Sequence, residues 1–455
     1  MNSDVLVAEA SPKGVGAISI IRLDGSGSID MAFSVLKGLP ERSKLEPNKV
    51  YLVDCINNGK LIDEVTAVFY RRPKSYTGND MVEIFCHGSP AVVSSIIDIF
   101  VKKGSRIARP GEFTKRAFIN GKIDILRAEA INSLSRSLTR IGSSIAISVL
   151  RGGLSDKIDK IRDDILLLSA TVEALIEYED DVDFTGSMAD ARTIIDNLIQ
   201  TLEKMVSSYR SYLIASGGAN VVIVGRKNSG KTTLFNHLLG YERGIISEIP
   251  GTTRDYMREI MRLDDYIISL TDIAGLGDAT DEIDILGVKV ANEIIKDSDI
   301  VLFLVDITSG WSDVEDEIYN SISQKEIVLA ISRIDIDEGK VESITRYIKE
   351  RTGINPIPIS SFKGIGIIEI KSEIERIMAR LTQSDVFLIT ERQREKVGEM
   401  LIYLREAFKK IEASSGLEIV AEDIRSAVSC LEGLVGRGLS DDMIDRIFDK
   451  FCVGK

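Results

Sequence analysis

Apolar and polar residues change rhythm along the 455-residue chain, and each rhythm predicts a different kind of structure. Residues 1–118 carry short strand-like runs. Ala17 to Leu23 is β-branched, and Val65 to Tyr70 alternates apolar and polar positions, each run ending at turn-forming residues. A mixed α/β domain is expected there. From Ile123 the spacing lengthens: Ile123, Leu126, Ala130, Leu134, Leu138, Ile141, Ile145 and Val149 recur every three or four positions, as on one helix face. A second such face follows in Ile158, Ile161, Ile165, Leu168, Val172 and Leu175, and the acidic stretch Glu177 to Asp183 is expected to close it as a solvated loop.

Between residues 220 and 370 the pattern changes again. Short apolar runs, Val221–Val224, Ile267–Leu270, Val301–Val305, Val328–Ile331 and Ile357–Ile359, alternate with helical stretches. That alternation predicts a parallel sheet covered by helices. Helical texture returns after residue 390 through Leu401, Leu404 and Phe408, and again over Ile424 to Leu431. The expectation is an α/β multidomain chain: a mixed domain over 1–118, a helical domain in two parts (119–216 and 381–455), and a sheet domain inserted at 217–380. Gly217-Gly218 would be the entry linker.

Composition narrows the class. Apolar residues make up 44% and charged residues 28%, as in globular rather than disordered chains. The longest uninterrupted apolar stretch, Ile300 to Val305, is far too short for a membrane span, and Asp4 and Glu9 argue against a secretory signal. Four cysteines without C-x-x-C spacing and only two histidines offer little for zinc and suit a reducing cytoplasm. The net charge of −13 is uneven: +3 over 1–118, −4 over 119–218, −9 over 219–380 and −3 over 381–455. Such a chain is not expected to coat nucleic acid.

The chemistry is concentrated in the inserted domain. Gly225 to Thr232 reads G-x-x-x-x-G-K-S/T after one predicted strand and before a predicted helix, the context a phosphate loop requires. Asn228, Ser229, Gly230, Lys231, Thr232 and Thr233 would surround the phosphates, with Lys231 on the β- and γ-phosphates and Thr232 on Mg²⁺. About 40 residues on, Asp272-Ile273-Ala274-Gly275 follows a second strand as a D-x-x-G step. Asp272 would support Mg²⁺ through water, and the Gly275 N–H would meet the γ-phosphate. Between them Gly251 to Asp255 suits a switch in which Thr253 completes the Mg²⁺ shell. In the base-reading position stands Ser332-Arg333-Ile334-Asp335, where an Asn-Lys-x-Asp step is expected. Asp335 can accept from guanine N1–H and N2–H₂, which favours GTP over ATP, and Ser332 lacks the two-sided amide of Asn. Ser360, Ser361 and Phe362 supply the last guanine-side loop. The whole predicts a Ras-like P-loop GTPase domain.

The flanks of that domain resemble the MnmE (TrmE) family of tRNA modification GTPases. Tyr76-Thr77-Gly78-Asn79-Asp80 is similar to the family's Tyr-Thr-Gly-Glu-Asp; Glu83 and His87-Gly88 follow. Arg109 to Phe118 and Asn120-Gly121-Lys122 match its most recognisable stretch, and the chain ends in Phe451-Cys452-Val453-Gly454-Lys455. The resemblance implies an N-terminal domain that dimerises and binds a reduced folate (5-formyl- or methylene-tetrahydrofolate). Arg22, Glu83, Lys122 and Lys455 would face it. It also implies a homodimer joined to a FAD-containing partner, MnmG, in a heterotetramer. Together they would add an aminomethyl or carboxymethylaminomethyl group at C5 of the tRNA wobble uridine, with tRNA held mainly through the complex.

For hydrolysis, Leu276 occupies the place where many small GTPases carry a glutamine. The resemblance implies instead a K⁺ ion held by Asn228, with Ser247, Ile249 and Thr252 as further oxygen ligands, and a water-orienting acid at Asp284. That acid is one methylene shorter than the family's glutamate, and Glu282 could substitute for it. Cys452 is either a nucleophile in tRNA modification or a packing residue of the terminal anchor. An alternative function for the chain is a GTP-switched binding module, such as a ribosome-assembly GTPase.

Overall fold

In a computed structural model the described residues are 4–177, 184–240, 257–273, 293–413 and 416–454. The chain divides into two compact units. One comprises Met1–Ser135, Ser148–Leu202 and Glu395–Lys455; the other comprises Arg136–Ile147 and Glu203–Arg394. No helix among the described residues is long and apolar enough to cross a membrane.

In the first unit seven strands form one sheet: β1 (Leu6–Glu9), β2 (Ile18–Asp24), β3 (Leu36–Lys37), β4 (Val50–Asn57), β5 (Lys60–Tyr70), β6 (Met81–His87) and β7 (Arg106–Ile107). Their order is β3-β4-β5-β6-β2-β1-β7, antiparallel throughout except for the β1–β7 pair. Alternation decides the faces. Ile21 and Leu23 of β2 point into a core shared with Val93, Ile96, Ile99 and Phe100 of the helix Pro90–Lys102. Arg22, between them, therefore points to the other face, where its register partner on β6 is Glu83.

The helix Gly153–Glu177 buries the periodic stripe Leu154, Ile158, Ile161, Ile165, Leu168, Val172 and Leu175. It packs along the helix Leu417–Val435, which buries Val420, Ile424, Ala427, Leu431 and Leu434. The apolar periodicity from Ile123 to Val149 is not one helix, however. It divides into Ile125–Arg136 and Arg140–Leu150. Thr139 makes the break: its Oγ1 accepts from the Gly142 N–H at 2.9 Å and donates to the Ala215 carbonyl. A threonine that bonds nearby backbone in this way offers the chain an alternative to the helix ladder.

The last helix, Asp441–Phe448, starts on a Ser440 cap and docks against the helix Glu112–Ile119. Phe448 lies 6.2 Å from the Phe118 ring and 5.1 Å from Phe451, centroid to centroid. Lys115 pairs with Asp445. Gly111 (φ 65°) permits the approach, because a Cβ there would lie 2.4 Å from the Phe448 carbonyl oxygen. The final residues thus close onto the N-terminal domain.

The second unit holds a six-stranded sheet of β8 (Ala219–Gly225), β9 (Met257–Leu263), β10 (Tyr266–Asp272), β11 (Ile300–Asp306), β12 (Glu326–Ser332) and β13 (Ile357–Pro358). Its order is β13-β12-β11-β8-β10-β9. The five predicted apolar runs all lie in parallel strands. β9 is the exception to a parallel sheet: it is an antiparallel edge, and Arg258, Glu259 and Arg262 hide it from an apolar-run reading. β11 is buried on both faces, with Leu302 and Leu304 on one and Val301, Phe303 and Val305 on the other, as expected of a central parallel strand. The expected glycine linker is a one-residue turn. The helix Phe184–Gly217 passes into β8 through Gly218 (φ 98°), where a Cβ would lie 2.4 Å from the Ile267 carbonyl oxygen.

Candidate functional site

The phosphate loop leaves the carboxyl end of β8 and enters the helix Lys231–Leu239. Asn228 (φ 65°) and Gly230 (φ 90°) take left-handed conformations that turn the backbone inward. The Lys231 ammonium closes the loop, donating to the carbonyls of Gly225 at 2.9 Å and Arg226 at 2.6 Å. Burial lowers its pKa, and the Asp272 carboxylate partly opposes that. Thr232 Oγ1 donates to Asp272 Oδ2 at 2.7 Å, so the P-loop threonine and the D-x-x-G aspartate meet although 40 residues separate them. A hydroxyl and a carboxylate at that spacing are the hard oxygen donors that Mg²⁺ takes alongside phosphate and water. Ser229 Oγ is buried and has no hydrogen-bond partner among the described residues, as suits a loop built for oxyanions. Thr233 and Asn228 are exposed at the mouth of the loop.

The base-reading residues meet at the ends of β12 and β13. Asp335 Oδ1 accepts from Ser360 Oγ at 2.5 Å, and this bond holds the Asp335 carboxyl below the usual range. The carboxylate is therefore an anionic acceptor at neutral pH. Ser332 Oγ donates to the Ser229 carbonyl at 2.7 Å, tying β12 to the phosphate loop. Ser361 is half-buried and Phe362 lies 87% exposed at the tip of the same loop. Sequence reasoning did not find Arg226, which anchors the loop from outside through Glu315 Oε1 (2.7 Å) and Ser312 Oγ (2.6 Å). Glu315 also closes a capping box with Ser312, and that S-x-x-E spacing was the available signal. Ser247, Ile249, Thr252, Thr253, Gly275 and Asp284, with the proposed K⁺ ligands and switch among them, lie outside the described residues, as does Lys455.

A second polar centre lies on the face of the N-terminal sheet opposite the helix Pro90–Lys102. Arg22 Nη2 and Nε donate to Glu83 Oε1 at 2.7 and 3.0 Å, and both side chains are largely enclosed. The guanidinium lies 5.2 Å from the Tyr76 ring centroid and 5.4 Å from that of Phe113. Its Nη1 donates to the Gly454 carbonyl at 3.1 Å, which brings the chain end beside β2. Tyr70 donates to Glu83 Oε2 at 3.1 Å; burial and the Glu83 charge push its phenol up to about 12, so it stays a donor. Lys122 belongs to the other side of the same 73–79 loop. Its Nζ donates to the Pro73 carbonyl at 3.0 Å, and its stem packs against Gly78. Cys452 is exposed, and its carbonyl accepts from the Gly111 N–H at 3.3 Å. Tyr70 and Phe113 were not singled out from the sequence, because only the fold brings Tyr70 to Glu83 and the Phe113 ring to Arg22.

Other residues of the Arg109–Phe118 stretch hold the domain together. Arg106 bonds Glu112 and Asp4, and Arg116 bonds Asp4 and the fully buried Asp24. Burial alone would raise the Asp4 and Glu112 pKa values. The Arg106 hydrogen bonds and the nearby guanidinium charges outweigh it and hold both below the usual range. Two depressed carboxyls stabilise the fold above their unfolded pKa values, and that contribution is lost as pH falls through the folded ones. Thermal melts should therefore be flat from about pH 7 to 5 and fall steeply below about pH 4. Asp4→Asn should flatten the acid limb; an unchanged limb would remove this network from the account.

Known protein families match almost the whole chain. The family model for the GTP-binding protein TrmE N-terminus matches residues 5–122, and the MnmE helical domain model matches residues 125–452. A tRNA modification GTPase MnmE of Thermotoga sp. (strain RQ2) is 35% identical over 456 residues, covering 99% of this chain and all of the relative. That of Pseudothermotoga lettingae is 35% identical over 460 residues, with the same coverage. Among solved structures, an Era variant of Aquifex aeolicus bound to GDP and AlF₄⁻ aligns over 41% of this chain and 66% of its own. That alignment has 27% identity and a TM-score of 0.30. With family models matching residues 5–122 and 125–452 and relatives matching from end to end, the chain belongs to the MnmE family of tRNA modification GTPases.

Proposed function

We propose that this chain hydrolyses GTP to GDP and phosphate as part of tRNA wobble-uridine modification, working in the cytoplasm as a homodimer with an MnmG-type flavoprotein. One observation carries the GTPase half: Lys231, Thr232 and Asp272 converge at the carboxyl ends of β8 and β10, with Asp335 and Ser360 at the base end. Nucleotides bind in that crevice of open α/β sheets. Lys231 would leave its two loop carbonyls for the β- and γ-phosphate oxygens. Thr232 and Asp272 would hold Mg²⁺, Asp272 through water, and the ion would neutralise charge on the β- and γ-oxygens. Asn228 would hold K⁺ together with Ser247, Ile249 and Thr252, supplying positive charge near the bond that breaks. Asp284 would orient the attacking water.

Turnover of GTP, XTP and ATP should be compared in KCl and NaCl. GTP should be preferred and KCl should stimulate; equal rates with ATP would remove the guanine reading, and equal rates in the two salts would remove the K⁺ role. Asp284→Ala should abolish stimulated turnover. If Glu282→Ala does so instead, the water-orienting acid is Glu282.

The N-terminal centre supports a reduced-folate site on the 1–118 domain, joined by Lys122 and Lys455. Glu83 and Arg22 offer acceptor and donor groups to a pterin ring, Tyr76 and Phe113 offer flat faces, and Lys122 and Lys455 suit an anionic tail. When bound, the folate would supply a one-carbon unit. Titration of the full chain with 5-formyltetrahydrofolate should saturate, and Arg22→Ala should weaken it about tenfold or more. Equal binding by parent and variant would displace folate from Arg22. With a net charge of −13, the chain should hold tRNA weakly at physiological salt until MnmG is present.

A further inference from the structure

Ser332 stands at the end of β12, 2% exposed, and its environment determines what it can offer a nucleotide. A serine hydroxyl has one proton to donate. Here that proton goes to the Ser229 carbonyl at 2.7 Å, and among the described residues the only other near acceptor is the Val305 carbonyl at 3.4 Å. The lone pairs that remain can only accept. Purine N7 is likewise only an acceptor, so the two cannot bond. Arg333 does not replace the missing donor: its backbone is left-handed (φ 61°), and its Nη1 is fixed on Asp306 Oδ2 at 2.8 Å. Asp306 is itself held by the Thr308 N–H and hydroxyl, both at 2.8 Å. Three residues beyond Ser332 stands the Asp335 carboxylate, with Oδ1 fixed by Ser360 and Oδ2 left to accept from a base. Guanine offers N1–H and N2–H₂ to that acceptor, whereas Ser332 has no donor left for N7.

We propose that this chain reads guanine from the N1–N2 edge alone, through Asp335 positioned by Ser360, and that Ser332 braces the phosphate loop while N7 stays unread. The proposal rests on the reading of the site as a GTP site. It makes Ser332 the residue that sets tolerance at the imidazole side of the purine. An asparagine there would carry two amide protons, one for the Ser229 carbonyl and one for N7.

Competition binding on the full chain tests this with GDP, 7-deaza-GDP, XDP and ADP. GDP and 7-deaza-GDP should bind within about twofold of each other, and S332N should open a gap of about fivefold or more in favour of GDP. D335N should weaken GDP about tenfold or more and improve XDP. If the parent chain binds 7-deaza-GDP tenfold more weakly than GDP, N7 is read and the proposal is wrong. The same ratio in the parent decides the matter if S332N does not fold. GDP binding no tighter than ADP is a different result: it overturns the guanine-nucleotide reading itself.

Discussion

Replacing Lys231 with methionine should lower GTP turnover by about 10²–10³-fold while leaving the fold intact. Lys231 is 8% exposed, burial depresses its pKa, and its ammonium is satisfied by two loop carbonyls rather than by a carboxylate. Methionine keeps the packed stem and removes a desolvated charge, so melting without nucleotide should change by no more than about 2 °C. Ligand linkage separates the two effects. GDP at about a hundred times its Kd should stabilise the parent by about 2.7 kcal/mol and the variant hardly at all. A variant that keeps both the GDP shift and the turnover would falsify the role given to Lys231.

The second large effect is structural and lies within the family's most recognisable stretch. Arg116 bonds Asp24 Oδ2 at 2.8 Å and Asp4 Oδ1 at 2.7 Å, and Asp24 is completely buried. Arg116→Met would leave Asp24 with only the neutral donors Thr77 and Asn79. Stranding a buried carboxylate costs about 3–5 kcal/mol, against much less when both partners are replaced. The calorimetric transition of the N-terminal unit should fall by roughly 6–20 °C in Arg116→Met. Adding Asp24→Asn should recover part of that loss. A drop that the second substitution deepens additively would mean the two residues act separately.

These two residues show what can be read from sequence. Lys231 was legible because a phosphate loop is local: glycine spacing, strand and helix all lie within twenty residues. The five apolar runs of the inserted sheet were legible for a similar reason, since strands buried on both faces are continuous stretches of Val, Ile and Leu. β9 was not, because an edge strand with Arg258, Glu259 and Arg262 has no apolar run. The break at Thr139 was invisible because helical spacing continues through it, while the hydrogen bond that makes it reaches Ala215. Arg116 lay within a recognised motif, but its sequence could not separate a residue that faces ligand from one that neutralises Asp24. The commitment of Ser332 to Ser229 likewise belongs to the packing of β12 on the loop, 103 positions away in sequence.

The contact between Arg22 and Gly454 also orders events during synthesis. The strands of the N-terminal sheet are all made once residue 107 is added, yet Gly454 follows about 350 residues later. At about 5–20 residues per second, Arg22 waits roughly 20–70 s for its last neighbour. A nascent chain therefore carries a folded sheet with an unfinished centre.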